Sequence, residues 1–387
     1  MRRHLCVLSG LLCLCASASL VAQTSSTPQT SEPAPAAAPA AAPTWSAGPI
    51  EFSGLVDGYY SLNFGHPASK NNVSRNFDTK ANSFALNFAK LTMEHTADPV
   101  GFKLELAAGR AMDIFHATDP AGVETVKNIL QAYVSLRPKS MNGFQLDFGK
   151  FNTSAGAEVT ETHLNWNYSR SLLYANGPYY HFGARMVQPI GKYWTAGLQL
   201  VNGWNNVEDN NAAKTVGLTT TFSTSKFAWF NNYYFGNEKN DTVGGVKVKA
   251  PGLRHFYDSV VSLNPNGRVS GLVNINYGVD KNPKPGLDQK FYGVSLAMRV
   301  IGNSVFSFSP RFDWYKDRDG FITGTPRTIR EFTLTGDMKL KEGLLTRLEY
   351  RYDQSNVAYF DRGNGTANAK NQSTLLLGFV AYFGPKR

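Results

Sequence analysis

Glu158, Glu161 and His163 stand within six residues of one another and are of types that bind metal ions or move protons. Their spacing, Glu-x-x-Glu-x-His, is not one that metal-binding loops or helices use, so a surface or lumen role suits them better. Asp317-Arg318-Asp319-Gly320 opens like a calcium loop but lacks the distal glutamate, and reads as a plain turn. His66, His95, His116, His181 and His255 are scattered, with no nucleophile-base grouping and no glycine-rich loop opening a helix. No enzyme, cofactor or metal site is expected.

The charged residues suit electrostatics better than catalysis. Arg185, Arg299, Arg311, Arg347 and Arg351, together with Asp57, Asp147, Asp313 and Glu349, occupy the polar positions of alternating segments. On the inner wall of a channel they would set up a transverse field that orients polar solutes. The stretch 151–177, carrying Glu158, Glu161, His163 and Arg170, is the longest polar connection. Folded inward, it would narrow such a channel and set its carboxylates opposite the wall arginines.

Strands must position these groups. From Glu51 to Phe383 the sequence alternates with period two. Phe52, Gly54, Val56, Gly58, Tyr60, Leu62 and Phe64 oppose Glu51, Ser53, Asp57, Ser61 and Asn63. Leu130, Ala132, Val134 and Leu136 oppose Gln131, Tyr133 and Ser135. Phe332, Leu334, Met338 and Leu340 oppose Glu331, Thr333, Thr335, Asp337 and Lys339. Segments of this kind start near residues 51, 83, 100, 128, 144, 178, 193, 214, 227, 254, 268, 288, 304, 328, 344 and 372. That is about sixteen strands, within a range of roughly 12–18, each long enough to cross a bilayer at a tilt. Tight turns at Asp98-Pro99, 138–143, Gly191-Lys192, 264–267, Gly302-Asn303 and 341–343 alternate with longer polar connections.

The remaining sequence fits export to a membrane. Arg2 and Arg3, an apolar run from Leu5 to Leu14, and small residues ending at Ala18 or Ala22 have the form of a cleaved signal peptide, residues 1–22. Cys6, Cys13 and Cys15 all fall inside it, so the mature chain would have no disulfide to stabilise it. Residues 23–49, rich in Pro, Ala, Ser and Thr, read as a flexible linker, and 50–387 as one domain. The formal charge of +10 drops to +8 once Arg2 and Arg3 leave, and no dense basic stretch suggests nucleic acid. After the signal, no run approaches the roughly twenty apolar residues of a membrane helix.

About sixteen strands closed into a barrel enclose more space than their side chains fill, so the inner face must be wet and the outer face apolar. Lipid makes that arrangement stable, because closure pairs every backbone group. Aromatics near strand ends, among them Tyr59, Tyr60, Tyr180, Tyr193, Trp194, Tyr234, Trp314, Tyr315 and Phe383, are placed for interfacial girdles. The expected fold is all-β: a transmembrane antiparallel barrel with a polar lumen.

The segment from Gly149 to Met186 and the Leu198 to Asn211 stretch carry a family resemblance. Gly149-Lys150-Phe151, Gly156-Ala157-Glu158, Asn167-Tyr168-Ser169-Arg170-Ser171, the Pro178 to Arg185 segment and Val201-Asn202-Gly203-Trp204 are similar to the OmpL-like β-barrel porin-2 family. The resemblance extends over 51–383 and implies an outer-membrane barrel used as a channel. Leu375, Leu377, Phe379 and Phe383 suit a last strand read by the outer-membrane assembly machinery, although Gly384-Pro385-Lys386-Arg387 follow it. The expected function is passive diffusion of small hydrophilic solutes with mild anion preference. The alternative is a non-channel barrel serving as adhesin, receptor or anchor. Lipopolysaccharide is an expected neighbour, and a homotrimer an expectation by analogy.

Overall fold

The computed structural model describes residues 45–385, apart from 118, 120–123, 244–245, 248–251, 283–285 and 342. The expected signal peptide and linker residues 23–44 lie outside the described residues. Residues 45–49, assigned above to the linker, are folded: Ser46 and Ala47 pair with Glu51 and Ile50, and Trp45 packs on Phe383 at 5.1 Å.

Sixteen long strands form the domain. They are β1 (Ile50–Asn63), β2 (Ser83–His95), β3 (Val100–Ala108), β4 (Ile129–Leu136), β5 (Gln145–Asn152), β6 (Tyr180–Ile190), β7 (Trp194–Val201) and β8 (Thr215–Ser223). The second half comprises β9 (Phe227–Gly236), β10 (Arg254–Leu263), β11 (Val269–Asp280), β12 (Gln289–Ile301), β13 (Phe306–Asp317), β14 (Arg327–Lys341), β15 (Leu344–Ser355) and β16 (Asn371–Phe383). Each strand pairs antiparallel with its neighbours in sequence, and β1 closes the sheet on β16 from Gly54↔Phe383 to Asn63↔Thr374. Short turns join the strands at one end and long loops at the other, so both termini of the barrel lie at the turn end. Among the described residues no helix is long and apolar enough to cross a membrane.

Alternation decides which side chain faces where. On β14 and β15, Leu334 and Leu348 are 45% and 55% exposed, whereas Glu331, Arg347 and Glu349 are about 1% exposed. The outer face thus presents Phe84, Val134, Phe148, Phe308, Phe332 and Phe379. Large apolar groups on a closed outer surface require lipid around them.

The inner face is polar along β13–β15 but not throughout. Two apolar clusters occupy the interior, one around Phe77, Phe88, Phe115, Tyr168 and Tyr174, the other around Leu172, Leu173, Tyr234, Phe256, Phe291 and Tyr315. Tyr59, Tyr180, Tyr234 and Tyr315, expected at the interfacial girdles, are instead buried. Tyr59, Tyr234 and Tyr315 sit at inward positions, and side chains from the long loops cover them. Leu130 is also buried, since the β3–β4 register shifts between Glu105 and Leu106 and carries it to the inner side.

A charge on the lipid face must be desolvated without a partner. Leu334→Arg, near the middle of β14, is expected to cost about 2–4 kcal/mol of folding stability. Leu334→Phe should stay within about 0.5 kcal/mol of wild type. Reversible urea unfolding in lipid vesicles measures both.

Candidate functional site: an inserted loop clamped to a charged wall

The connection between β5 and β6, residues 153–179, is the longest in the barrel. Thr153 N donates to Tyr179 O at 3.0 Å and closes its base. From there it crosses to β13, β14, β15 and β1 on the far side. A short helix, α1 (Leu172–Ala175), ends the crossing and is capped by Ser171, whose hydroxyl accepts from Tyr174 N at 3.1 Å.

Three wall carboxylates receive the loop's backbone. Glu349 on β15 accepts Tyr168 N at 2.6 Å and Ser169 N at 3.0 Å. Asp313 on β13 accepts Leu172 N at 2.8 Å. Asp258 on β10 accepts Gly156 N at 2.9 Å, and Asn232 and Asn274 hold the same carboxylate. Asp57 on β1 takes side chains instead: the Tyr168 hydroxyl at 2.5 Å, Asn87 Nδ2 at 2.7 Å and the Thr162 hydroxyl. Charge-assisted bonds of this kind are about twice as strong as neutral ones.

The wall arginines do the converse. Arg347 Nη1 donates to the carbonyls of Thr162 at 2.6 Å and Asn167 at 3.0 Å, and Nη2 donates to that of Asn165. Arg351 Nη1 donates to Arg170 O at 2.6 Å, and Arg311 Nη1 to Ser169 O at 2.7 Å. Each keeps a carboxylate beside it as well: Asp337 at 2.8 Å for Arg347, Asp353 at 2.9 Å for Arg351, and Glu331 at 3.1 Å for Arg311. Buried charges are tolerated only when paired in this way.

Two wall glycines make room for the loop. A Cβ on Gly378 would lie 2.5 Å from the Tyr168 ring, and one on Gly293 would lie 2.9 Å from a Leu173 methyl. Tyr168 and Leu173 are fully or almost fully buried against these positions.

The nine expected pore-lining residues are distributed as follows. Asp57, Arg311, Asp313, Arg347, Glu349 and Arg351 come together on one side of the barrel, buried beneath the loop. Asp147 and Arg185 form a separate pair at 2.8 Å. Arg299 lies 3.6 Å from Asp337, and like Arg185 keeps part of its side chain open. Of the loop residues, Glu158 meets Arg311 at 3.0 Å. Glu161 meets Lys90 rather than an arginine. Arg170 turns back on its own loop, donating to the carbonyls of Tyr168, Thr160 and Val159, with its guanidinium 4.0 Å above the Phe77 ring. His163 stacks on Tyr382 at 4.4 Å. The Glu158, Glu161 and His163 side chains therefore go to three different partners.

The opposite wall differs in character. Near the turn end, Thr195, Thr219, Thr221, Phe230, Ser262 and Leu272 occupy inward positions on β7–β11 and remain at least partly open. None carries a charge. Beneath the loop a cavity of about 950 Å³ opens at the turn end, bounded by Lys90, Lys103, Glu105, Glu161, His163 and Leu164. At the loop end, Asp361 accepts Ser69 N and Gly365 N, both at 2.9 Å, linking two outer loops. The Ser69 amide is the main cause holding this exposed carboxyl below its usual range, followed by others. Its link is complete at neutral pH and is lost as pH falls through the lowered value.

Sequence reasoning missed Asp258, Tyr168 and Lys90 as loop anchors. For Asp258 the available signal was a charged residue between Phe256 and Val260 at an inward position.

A closed sixteen-strand barrel with an apolar outer face and an inserted loop is an outer-membrane barrel of the porin type. The chain belongs to the family described as "Putative beta-barrel porin-2, OmpL-like", whose model matches residues 49–383. No curated protein sequence matches it. Among solved structures it is similar to in-vitro folded OmpT, an outer membrane protein of Vibrio cholerae, with TM-score 0.57, 13% identity, and coverage of 89% of this chain and 100% of that one. It is also similar to an anion-selective porin from Comamonas acidovorans, with TM-score 0.57, 12% identity, and coverage of 86% and 99%. The outer membrane channel DcaP of Acinetobacter baumannii gives TM-score 0.56 at 9% identity, with coverage of 86% and 97%. At these identities the likeness is one of fold.

Removing Arg347 takes a donor from three loop carbonyls and leaves Asp337 without its nearest partner. Arg347→Ala is expected to cost about 3–5 kcal/mol if the loop stays in place. The cheaper response is local release of the loop. Hydrogen exchange of the 160–170 amides in the folded protein should therefore quicken at least about ten-fold, with the β-strand amides little changed.

Proposed function

We propose that the barrel carries small hydrophilic solutes by passive diffusion across the outer membrane, between the inserted loop and the uncharged residues at the turn end of β7–β11. The observation that carries this reading is the uneven clamping of the loop, with most of its anchors on β1 and β13–β15 and only its first residues held on the opposite wall, as Gly156 is by Asp258. The anchors on β1 and β13–β15 draw it over the charged wall, and the small hydroxyl-bearing side chains of β7–β11 are left partly open. Solutes here meet fixed dipoles and hydroxyls, and among the described residues of this stretch none is placed for covalent chemistry. The protein acts as a channel and not as an enzyme.

Selectivity is proposed to be mild and anionic. The clustered arginines Arg311, Arg347 and Arg351 are each paired with a buried carboxylate, so they offer little free positive charge to a solute. The partly open Arg185 and Arg299, with the lysines at the mouths, supply the excess of positive charge. The proposed life history follows the sequence: residues 1–22 are cleaved on export, the assembly machinery inserts the barrel, and its outer mouth lies among lipopolysaccharide. A homotrimer is part of the same proposal, by analogy with large barrels.

A second reading, a non-channel barrel acting as adhesin, receptor or anchor, is favoured by the two apolar clusters that fill part of the interior. Purified protein in planar bilayers separates the two. Stepwise conductance with a reversal potential slightly toward anions, weakening as salt rises, is the expected result. Strong cation selectivity would remove the anion preference, and the absence of ion steps would favour the anchor reading.

A further inference from the structure

Large apolar side chains on the outer wall are explained by lipid, but some are exposed where lipid cannot reach. Leu164 and Val159, on the inserted loop, are 61% and 42% exposed, and Phe230, inward on β9, is 38% exposed. The intervening loop residues Thr160, Thr162, Asn165 and Asn167 are buried. The loop therefore hides its polar side against the charged wall and shows an apolar side to the open interior. Leaving a leucine in water forgoes stabilisation that burial would give, so this side is suited to meeting something other than water.

A small pocket lies on that side. Leu164, Trp166 and Ala157 of the loop face Leu272 of β11 and Ala297 of β12 across it. Its remaining edge is polar, formed by Glu158, Arg311, Asn165 and Ser295. Leu164 also lines the larger cavity at the turn end. The loop is stiff here: Asn165 Oδ1 accepts Val159 N at 2.9 Å, and Asn165 Nδ2 donates to the carbonyls of Val159 and Glu161, both at 2.8 Å. The Asn165 carbonyl is in turn held by Arg347. The pocket is shallow, about 50 Å³, and pre-formed, so it takes one edge of a ligand whose remainder lies in the open interior, and its rigidity lowers the ordering cost of binding.

We infer that the Leu164–Trp166–Leu272 pocket is a solute-binding subsite for an uncharged compound that joins an aromatic ring to a hydroxylated group, with the aromatic ring on the apolar residues and the hydroxyls at the polar edge. A flat apolar face matches Trp166, Leu164 and Leu272. Neutral hydroxyls match the opposite edge, because Arg311 and Glu158 already satisfy each other at 3.0 Å and offer no unmatched charge. Trp166 and Leu164 thereby become specificity-determining residues. The inference deepens the proposed function and rests on that reading for the route by which solute arrives.

Phenyl β-D-glucoside is the probe, with methyl β-D-glucoside as the control that keeps the sugar and its hydroxyls and lacks the aromatic ring. Calorimetric titration of the detergent-purified, folded protein should show the phenyl compound binding at least about ten-fold more tightly than the methyl one. Trp166→Ser and Leu164→Ser should each weaken phenyl binding several-fold, with methyl binding unchanged. Leu164 is mostly exposed, so its variant should not disturb folding, and heat-modifiable gel mobility checks both variants. Equal affinities for the two glucosides, absence of phenyl binding, or phenyl binding unaffected in both variants would overturn the subsite. Bilayer conductance of the same preparation tests the channel separately: ion steps without phenyl binding reject the subsite alone, and phenyl binding without steps rejects the channel alone.

Discussion

Charge buried inside a membrane barrel has to be matched, and the matching partner determines what the interior looks like. Sixteen strands enclose a space too wide for their own side chains to fill. Arginines and carboxylates on the inner face of β13–β15 would remain hydrated across an empty lumen. With the 153–179 loop over them they lose that water and take the loop's backbone in exchange. Glu349 binds amides and Arg347 binds carbonyls, so the peptide chain serves both signs of charge at once. The loop's course, the position of Tyr168 on Gly378 and the asymmetry of the cavity all follow from that exchange.

The packing around the loop is consistent with the same constraint. Apolar residues carried inward by the long loops, such as Phe77 and Phe115, could not remain in a wet channel, and they assemble with Tyr168, Tyr174 and the inward aromatics of the strands. The interior is thus divided by chemistry: a charged wall capped by the loop, apolar packing on either side of it, and a stretch of hydroxyl-bearing and apolar residues left partly open near the turn end. Proximity to a named charge does not make a residue part of a passage. Arg351 is sealed beneath the loop, whereas Arg185 and Arg299 keep part of their side chains exposed.

Much of the barrel was legible in the sequence because lipid imposes one rule on every strand. The starts at Ser83, Val100, Phe227, Arg254 and Leu344 coincide with those read from alternation, and the others fall within two residues. The rule does not reach the interior. At an inward position Asp313 and Tyr315 are equally acceptable, depending on which distant loop covers them, and period two cannot tell these cases apart. For the same reason Tyr59 and Tyr234 were placed at the interface. Leu130 was missed because a single bulge reverses the facing of everything beyond it. The inserted loop could be identified by its length and polarity, but its partners could not, since Gly156 finds Asp258 about a hundred residues away and Tyr168 finds Asp57 in the first strand.

Much of the loop's attachment runs through peptide groups and not through the identities of its side chains. Any residue at 165 or 167 would still offer a carbonyl to Arg347, and most residues at 169 an amide to Glu349. Positions such as 159, 164 and 166, which turn away from the wall, are therefore open to mutation without loss of the loop's placement. Divergence at those sites would change the face that the loop turns toward the interior while the scaffold stays constant.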